Sequence, residues 1–320
     1  MAQEIEQKNI AAVISFQQYL SHCTVHGRLL IILMLVKLIV TFLAIVVVLG
    51  NALSDSLSVE DFVKIRCSLD GGDTFYTWSG TIFAYMPNQA PKHVLDFIGY
   101  NVARCEKING SWRLITRELS YYLDPKTKER LFNWTNPVTG ETVNVVHVSN
   151  NPVNGGMGSV GYTMLNSDKA VIASDIPLFY PNPLHSNNTY DRYGGLYPNY
   201  EGGEFFKFYF SMNDLKSSPN AVSDVSISWT RLSQWMPWMT MGSSPGELFY
   251  SCIGARAADL SHMPQWLQDD VSTRLPLYLH APRTFNPETP NETSQTVFMK
   301  AFSSFLAGET FPLPAPDESL

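Results

Sequence analysis

The chain lacks most of the features that announce a familiar chemistry. Its four cysteines form no C-x-x-C pair and no Cys/His spacing suited to zinc. There is no H-E-x-x-H signature, no G-x-S-x-G elbow and no Walker phosphate loop. Gly155-Gly156-Met157-Gly158 is rich in glycine but has no strand–helix setting for a phosphate cradle. No metal and no cofactor is therefore expected. Basic residues are scarce as well: 22 Lys+Arg against 29 Asp+Glu give a net charge of −7, so the basic footprint that nucleic acid requires is missing. No β-α-β alternation occurs, which disfavours a parallel sheet. Charged residues make up only 16% and aromatics reach 12%. The ring surface must go into a large core or line a cavity for an apolar ligand.

One long hydrophobic run stands out. Leu29–Leu49 is interrupted only by Lys37 and Thr41, and about 20 such residues in a helix match a bilayer's hydrocarbon core. Arg28 precedes it, and Asn51, Asp55, Glu60 and Asp61 follow. The positive-inside tendency then keeps residues 1–28 cytosolic, makes 29–50 a signal anchor and places residues 51–310 in the secretory lumen as one domain. The Pro-rich end, 311–320, reads as a disordered tail. Four sequons fit that topology as glycosylation sites, at Asn109, Asn133, Asn187 and Asn291. Cys67 and Cys105 lie in one small region and form the expected disulfide, leaving Cys252.

From residue 62 onward the pattern is mainly β. Strands are expected at 62–69, 74–85, 95–107, 111–123, 129–134 and 141–149, with Asp70-Gly71-Gly72-Asp73 and Asn109-Gly110 as hairpin turns. Further strands follow at 159–165, 169–179, 204–212, 222–231 and 247–255, around an irregular stretch from 180 to 203. Helices are expected at 264–271 and 293–306. The expected fold is an antiparallel meander that closes into a barrel or a highly curved sheet, with a few covering helices.

Candidate site residues are rings and a few polar groups at strand positions. Trp78, Tyr100, Tyr121, Phe208, Trp229, Trp235 and Trp238 are the expected substrate-binding residues. His147 is isolated on a strand. Arg104 and Arg117 are suited to holding an anionic or carbonyl oxygen. Along 111–123, Arg113, Arg117 and Tyr121 share one face, while Trp112, Thr116 and Glu118 share the other. Glu118, Glu141, Asp175 and Glu204 are all candidates for a glycosidase pair, and sequence alone selects no two of them.

Several strings carry a resemblance. They include Phe62-Val63-Lys64-Ile65-Arg66-Cys67-Ser68-Leu69-Asp70-Gly71, Asn101-Val102-Ala103-Arg104-Cys105 and Tyr122-Leu123-Asp124-Pro125-Lys126-Thr127. Trp134-Thr135-Asn136-Pro137, Val146-His147-Val148-Ser149-Asn150-Asn151-Pro152, Trp229-Thr230-Arg231 and Trp235-Met236-Pro237-Trp238-Met239 continue it. Over roughly residues 60–260 the chain resembles the bacterial and fungal DUF1838 family, a domain of unknown function. Within that family, a membrane-anchored form with sequons resembles the fungal hetero-Diels–Alderases of tropolone-sesquiterpenoid biosynthesis. The resemblance implies a pericyclase that couples a tropolone o-quinone methide, formed by dehydrating a hydroxymethyl tropolone, to a humulene-type alkene. Its partners would be small apolar substrates and, through the N-terminal helix, a membrane; oligomeric state is left open. Such a reaction calls for an acid at the departing hydroxyl, for which His147, Glu118 and tyrosines are candidates, and a cation at the oxygens, for which Arg104 and Arg117 are candidates. A non-catalytic lipophile-binding barrel and a glycan-active hydrolase remain as alternatives.

Overall fold

Most of the predicted hairpins are present. In the computed structural model, which describes residues 55–185 and 187–315, the chain opens with β1 (Ser56–Leu57) and helix α1 (Val59–Arg66). Three long strands follow: β2 (Thr74–Tyr85), β3 (Lys92–Ile108) and β4 (Ser111–Leu123). Short pieces come next: β5 (Asn133–Thr135), β6 (Thr142–Asn144), β7 (Val148–Asn150), β8 (Gly155–Gly156), β9 (Val160–Gly161) and β10 (Thr163–Met164). Then come β11 (Lys169–Pro181), β12 (Asn199–Ser211), helix α2 (Met212–Ser217), β13 (Val225–Ser233) and β14 (Glu247–Ala257). Helices α3 (Gln265–Arg274), α4 (Ser294–Lys300) and α5 (Phe302–Leu306) complete the order.

The main sheet runs β10-β11-β12-β13-β14-β2-β3-β4-β7, with β8 also paired to β4, and all its pairings are antiparallel. The expected barrel does not form. β10 and β7 end the order without pairing to each other. β11 carries Pro177 and Pro181, and Pro152 follows β7 closely. Proline has no N–H to extend a ladder, so it belongs at such edges.

The sheet nevertheless curls. Five strand spacings separate β12 from β4, about 24 Å if the sheet were flat, yet side chains from both line one small cavity. Three inward-facing glycines permit the bend. A Cβ at Gly80 would lie 2.2 Å from the Ser251 carbonyl oxygen, one at Gly99 2.0 Å from Ser120 Oγ, and one at Gly254 2.0 Å from the Thr77 carbonyl oxygen. Curling brings backbones together on the concave side, and only a residue without a side chain fits there.

Some local expectations are overturned. Residues 62–69 are not a strand: Ser58 Oγ accepts the Asp61 N–H at 3.1 Å, Glu60 and Asp61 sit in the first turn and Lys64 and Arg66 in the last. These caps and charges favour a helix over the apolar alternation of Val63, Ile65 and Cys67. The expected helix 293–306 divides at Ala301 into α4 and α5. Residues 311–313 are no disordered tail, since Phe311 is 2% exposed and the Pro312 carbonyl accepts from Arg274 Nη2 at 2.8 Å. The expected single-pass location with a lumenal domain is also corrected. No helix among the described residues is long and apolar enough to cross a membrane, and the 1–28 segment and 29–50 run lie outside those residues.

Both faces of the sheet are covered. On the convex side α3 and residues 275–281 pack Leu267, Val271, Leu275 and Tyr278 against Tyr100, Leu119 and Tyr121. On the concave side Phe97, Tyr122, Trp229 and Tyr250 join Met236, Trp238 and Phe298 in the largest core cluster.

Candidate functional site

Strand register assembles the concave site in rows. One row runs Glu204, Arg231, Tyr250 across β12, β13 and β14. The next runs Phe206, Trp229, Cys252, Gly80, Phe97, Tyr122. A third holds Phe208, Ile227, Gly254, Trp78, Gly99 and Ser120, and a fourth holds Tyr76, Asn101, Glu118 and Asn150. Most of these side chains enclose a cavity of about 70 Å³ for the centres of water molecules. At the roughly 30 Å³ that a water occupies in the liquid, that is room for about two waters, and a ring molecule would enter it by one edge. Arg66, the last residue of α1, enters from the side over the Tyr76 ring, 4.9 Å from its centroid.

The electrostatics of this cavity are unusual. Arg231 donates from Nη1 to Glu204 Oε1 at 3.1 Å and from Nη2 to the Tyr200 hydroxyl at 2.7 Å. Burial opposes its charge, but Tyr200, Glu204 and Tyr250 around it more than compensate, so Arg231 stays protonated. Glu118 lines the cavity and accepts from Asn150 Nδ2 at 3.3 Å. Burial, reinforced by the charge of Glu204, pushes its carboxyl up to about 7. It is thus part protonated at neutral pH, as a general acid must be. Burial also lowers the Arg66 guanidinium, partly offset by Tyr76 and Glu118.

Unsatisfied polar atoms mark the same place. Arg66 Nη1, Trp78 Nε1, Trp229 Nε1 and Arg231 Nε are buried N–H donors without a partner, and Asn101 Oδ1, Asn150 Oδ1 and Ser120 Oγ are buried oxygens in the same condition. All of these residues line the cavity. Buried polar groups are rarely left unpaired in folded proteins, and each costs about 1–3 kcal/mol. A second, larger cavity of about 350 Å³ lies beside Trp235, Met236 and Met241, but none of the orphaned atoms lines it. The smaller cavity is therefore the candidate site. Among the described residues no group of three or more His, Cys, Asp or Glu side chains could hold a metal.

A family model described as Protein of unknown function (DUF1838) matches residues 71–302. The chain belongs to that family. No curated protein matches it in sequence.

In this DUF1838 chain, the sequence-predicted residues divide by sheet face. Trp78, Phe208, Trp229 and Glu118 line the cavity. Tyr100 and Tyr121 lie on the convex face, where their hydroxyls donate to the Tyr278 carbonyl at 3.0 Å and to Asp270 Oδ2 at 2.7 Å. Arg117 lies there too, donating to Asn151 Oδ1 at 2.9 Å and to the Leu277 and His280 carbonyls at 3.1 and 2.8 Å. Arg104 is bound to the Pro282 carbonyl at 2.7 Å and to Glu106 at 2.7 Å. His147 is buried outside the cavity, its Nδ1 accepting the Tyr122 N–H at 3.0 Å; burial, then the charge of Arg130, keeps the ring neutral. Trp235 lines the larger cavity, and Trp238 packs against Tyr122 and Trp134 at 5.3 and 5.8 Å.

Arg66, Asn101, Ser120 and Asn150 were not among the expected site residues. The register opposite Glu118 pairs it with Asn101 and Asn150, a relation that only strand pairing reveals. Cys67 and Cys105 are bonded, with Cα atoms 5.8 Å apart, and this link fixes the end of α1 that carries Arg66. Cys252 is a buried free thiol, pushed up to about 12 by burial. The four sequon asparagines are exposed; Asn187 caps a 3₁₀ turn, and the Asn291 amide bonds both ways to the Asn154 backbone, at 2.7 and 2.8 Å.

Proposed function

We propose that the chain is a cofactor-independent enzyme in which Glu118 acts as general acid on a compact, conjugated ring bearing oxygens. The observation that carries this reading is a carboxyl raised to about 7 inside a ring-lined cavity that also holds two guanidinium groups. The reaction proposed is the one the resemblance implies, a hetero-Diels–Alder coupling. Glu118 gives a proton to the departing hydroxyl of a hydroxymethyl tropolone. The C–O bond breaks, water leaves, the ring hydroxyl gives up its own proton, which reprotonates the Glu118 carboxylate, and an o-quinone methide remains. Two new σ bonds then join it to the humulene-type alkene, with no oxidant or reductant consumed. Arg231 and the indole N–H groups favour negative charge on the ring oxygens, and exclusion of water protects the quinone methide. The oxygen-bearing edge of the ring partner enters the cavity; the larger alkene approaches from the β11 side, where Ile176 pairs with Glu204 and is 42% exposed.

A second reading has one observation in its favour. Glycoside hydrolysis needs two carboxyls across a bond, one raised and one ionised, and Glu118 and Glu204 share this cavity. A purely lipophilic occupant is disfavoured by the orphaned polar atoms. Incubating the full chain with hydroxymethyl tropolone and humulenol tests the first reading. Stereoselective adduct faster than the blank, and lost in Glu118→Gln, is expected. Adduct no faster and no more selective than the blank would overturn it, and cleavage of aryl glycosides would support the second reading.

A further inference from the structure

The orphaned atoms are not scattered around the cavity but sorted by chemistry. Of the residues that line the cavity, every unpartnered N–H belongs to β2, β13 or the end of α1: Trp78, Trp229, Arg231 and Arg66. Every unpartnered oxygen in that lining belongs to β3, β4 or β7: Asn101, Ser120 and Asn150. In the strand order β13-β14-β2-β3-β4-β7 the change falls between β2 and β3. The cavity thus has a donor wall and an acceptor wall.

Each orphan is left over after its neighbours have been served. Arg231 spends Nη1 and Nη2 on Glu204 and Tyr200, so Nε is what it offers the cavity. Asn101 donates through Nδ2 to Thr116 Oγ1 at 3.1 Å, and Asn150 through Nδ2 to Glu118; both amides therefore present their carbonyl oxygens. Trp78 and Trp229 stand with ring centroids 5.9 Å apart, so one ligand edge can reach both indoles. Four N–H donors on one side call for acceptor oxygens there, and two carbonyls with a hydroxyl on the other side call for a ligand hydroxyl.

Resting on the reading that this cavity is the working site, we infer that its ligand is a compact ring whose oxo or enolate oxygens are directed to one wall and whose side-arm hydroxyl is directed to the other. The oxygens face Trp78, Trp229, Arg231 and Arg66. The hydroxyl faces Asn101, Ser120 and Asn150, which places it beside Glu118.

The test is equilibrium binding to the full chain, measured by calorimetry with three probes. Tropolone carries only the oxygen edge, benzyl alcohol only the hydroxyl, and hydroxymethyl tropolone both. The third is expected to bind about tenfold more tightly than either of the others, the worth of one further good hydrogen bond. Trp229→Phe keeps a ring but removes an N–H, and weakens tropolone several-fold while leaving benzyl alcohol unchanged. Ser120→Ala does the converse. Equal effects on both probes, or no binding of any probe by a folded protein, would overturn the inference. Crossed binding without adduct would keep it and remove the cycloaddition; turnover without the crossed pattern would do the reverse.

Discussion

Strand β4 shows both halves of this protein on alternate residues. Its odd positions, Arg117, Leu119 and Tyr121, point to the convex face, where they hold covering segments to the sheet. Arg117 ties the segment 277–280 to the sheet, and Tyr121 ties down α3 through Asp270. Asp270 in turn pairs with Arg130 at 3.0 Å and Arg274 at 2.7 Å. Its even positions, Glu118, Ser120 and Tyr122, face the cavity, where partners are missing and a carboxyl titrates near neutrality. The convex bonds of Arg117 and Tyr121 hold the strand still; the concave face can then keep polar groups unpaired for a ligand.

The contrast predicts different failures for the two sides. The largest expected effect comes from the link that joins them to α1. Replacing Cys67 and Cys105 with serine opens a loop with a sequence separation of 38 and should cost about 3–4 kcal/mol in denaturant unfolding, with weaker binding of tropolone because Arg66 is no longer held over Tyr76. On the convex side, Arg117→Ala should cost about 3 kcal/mol by leaving buried carbonyls without a donor. Probe affinity of the folded fraction should stay unchanged; a loss of affinity without loss of stability would erase the distinction between the faces. On the concave side, Glu118→Gln should lower turnover roughly a hundredfold while Tm is kept below about pH 4.5, where Glu118 is protonated.

The pH dependence sharpens the same contrast. Glu118 is raised from 4.5 to about 7 in the folded state, so the folded protein holds the proton more tightly than the unfolded chain. The corresponding stability is fully present below about 4.5 and lost as pH rises through about 7. Thermal melts of the wild type should therefore fall between about pH 4.5 and 7 relative to Glu118→Gln, and the rate of an acid-catalysed step should decline as pH rises through about 7. The smallest effect is expected for Tyr121→Phe, about 1.5 kcal/mol for one hydrogen bond to a charged partner, with binding and turnover intact.

Much of this scaffold was legible from the sequence. Asn109 and Gly110 take φ of 51° and 81°, as the N-G turn requires, and strand 111–123 has the expected bounds. Alternation along that strand correctly separated Arg117 from Glu118. It did not say which face was hollow, since Tyr100 and Tyr121 read as well for a ligand wall as Trp78 and Trp229. Helix α1 was hidden by apolar alternation, although Ser58 with Glu60 and Asp61 was a readable start signal. Glu118 could not be chosen from four carboxylates because its shift comes from burial under the curled sheet, reinforced by Glu204 five strands away. The mid-strand glycines at 80, 99 and 254 were the overlooked signal: three in adjacent strands announce a sharp bend.

Those glycines tie shape to acidity. Glu118 and Glu204 influence each other because the sheet rolls up, and it rolls up because three hydrogens stand where methyl groups would collide. An alanine at Gly99, far in sequence from either acid, would begin to unroll it. The first symptom would be a carboxyl that once more ionises like any other on a wet surface.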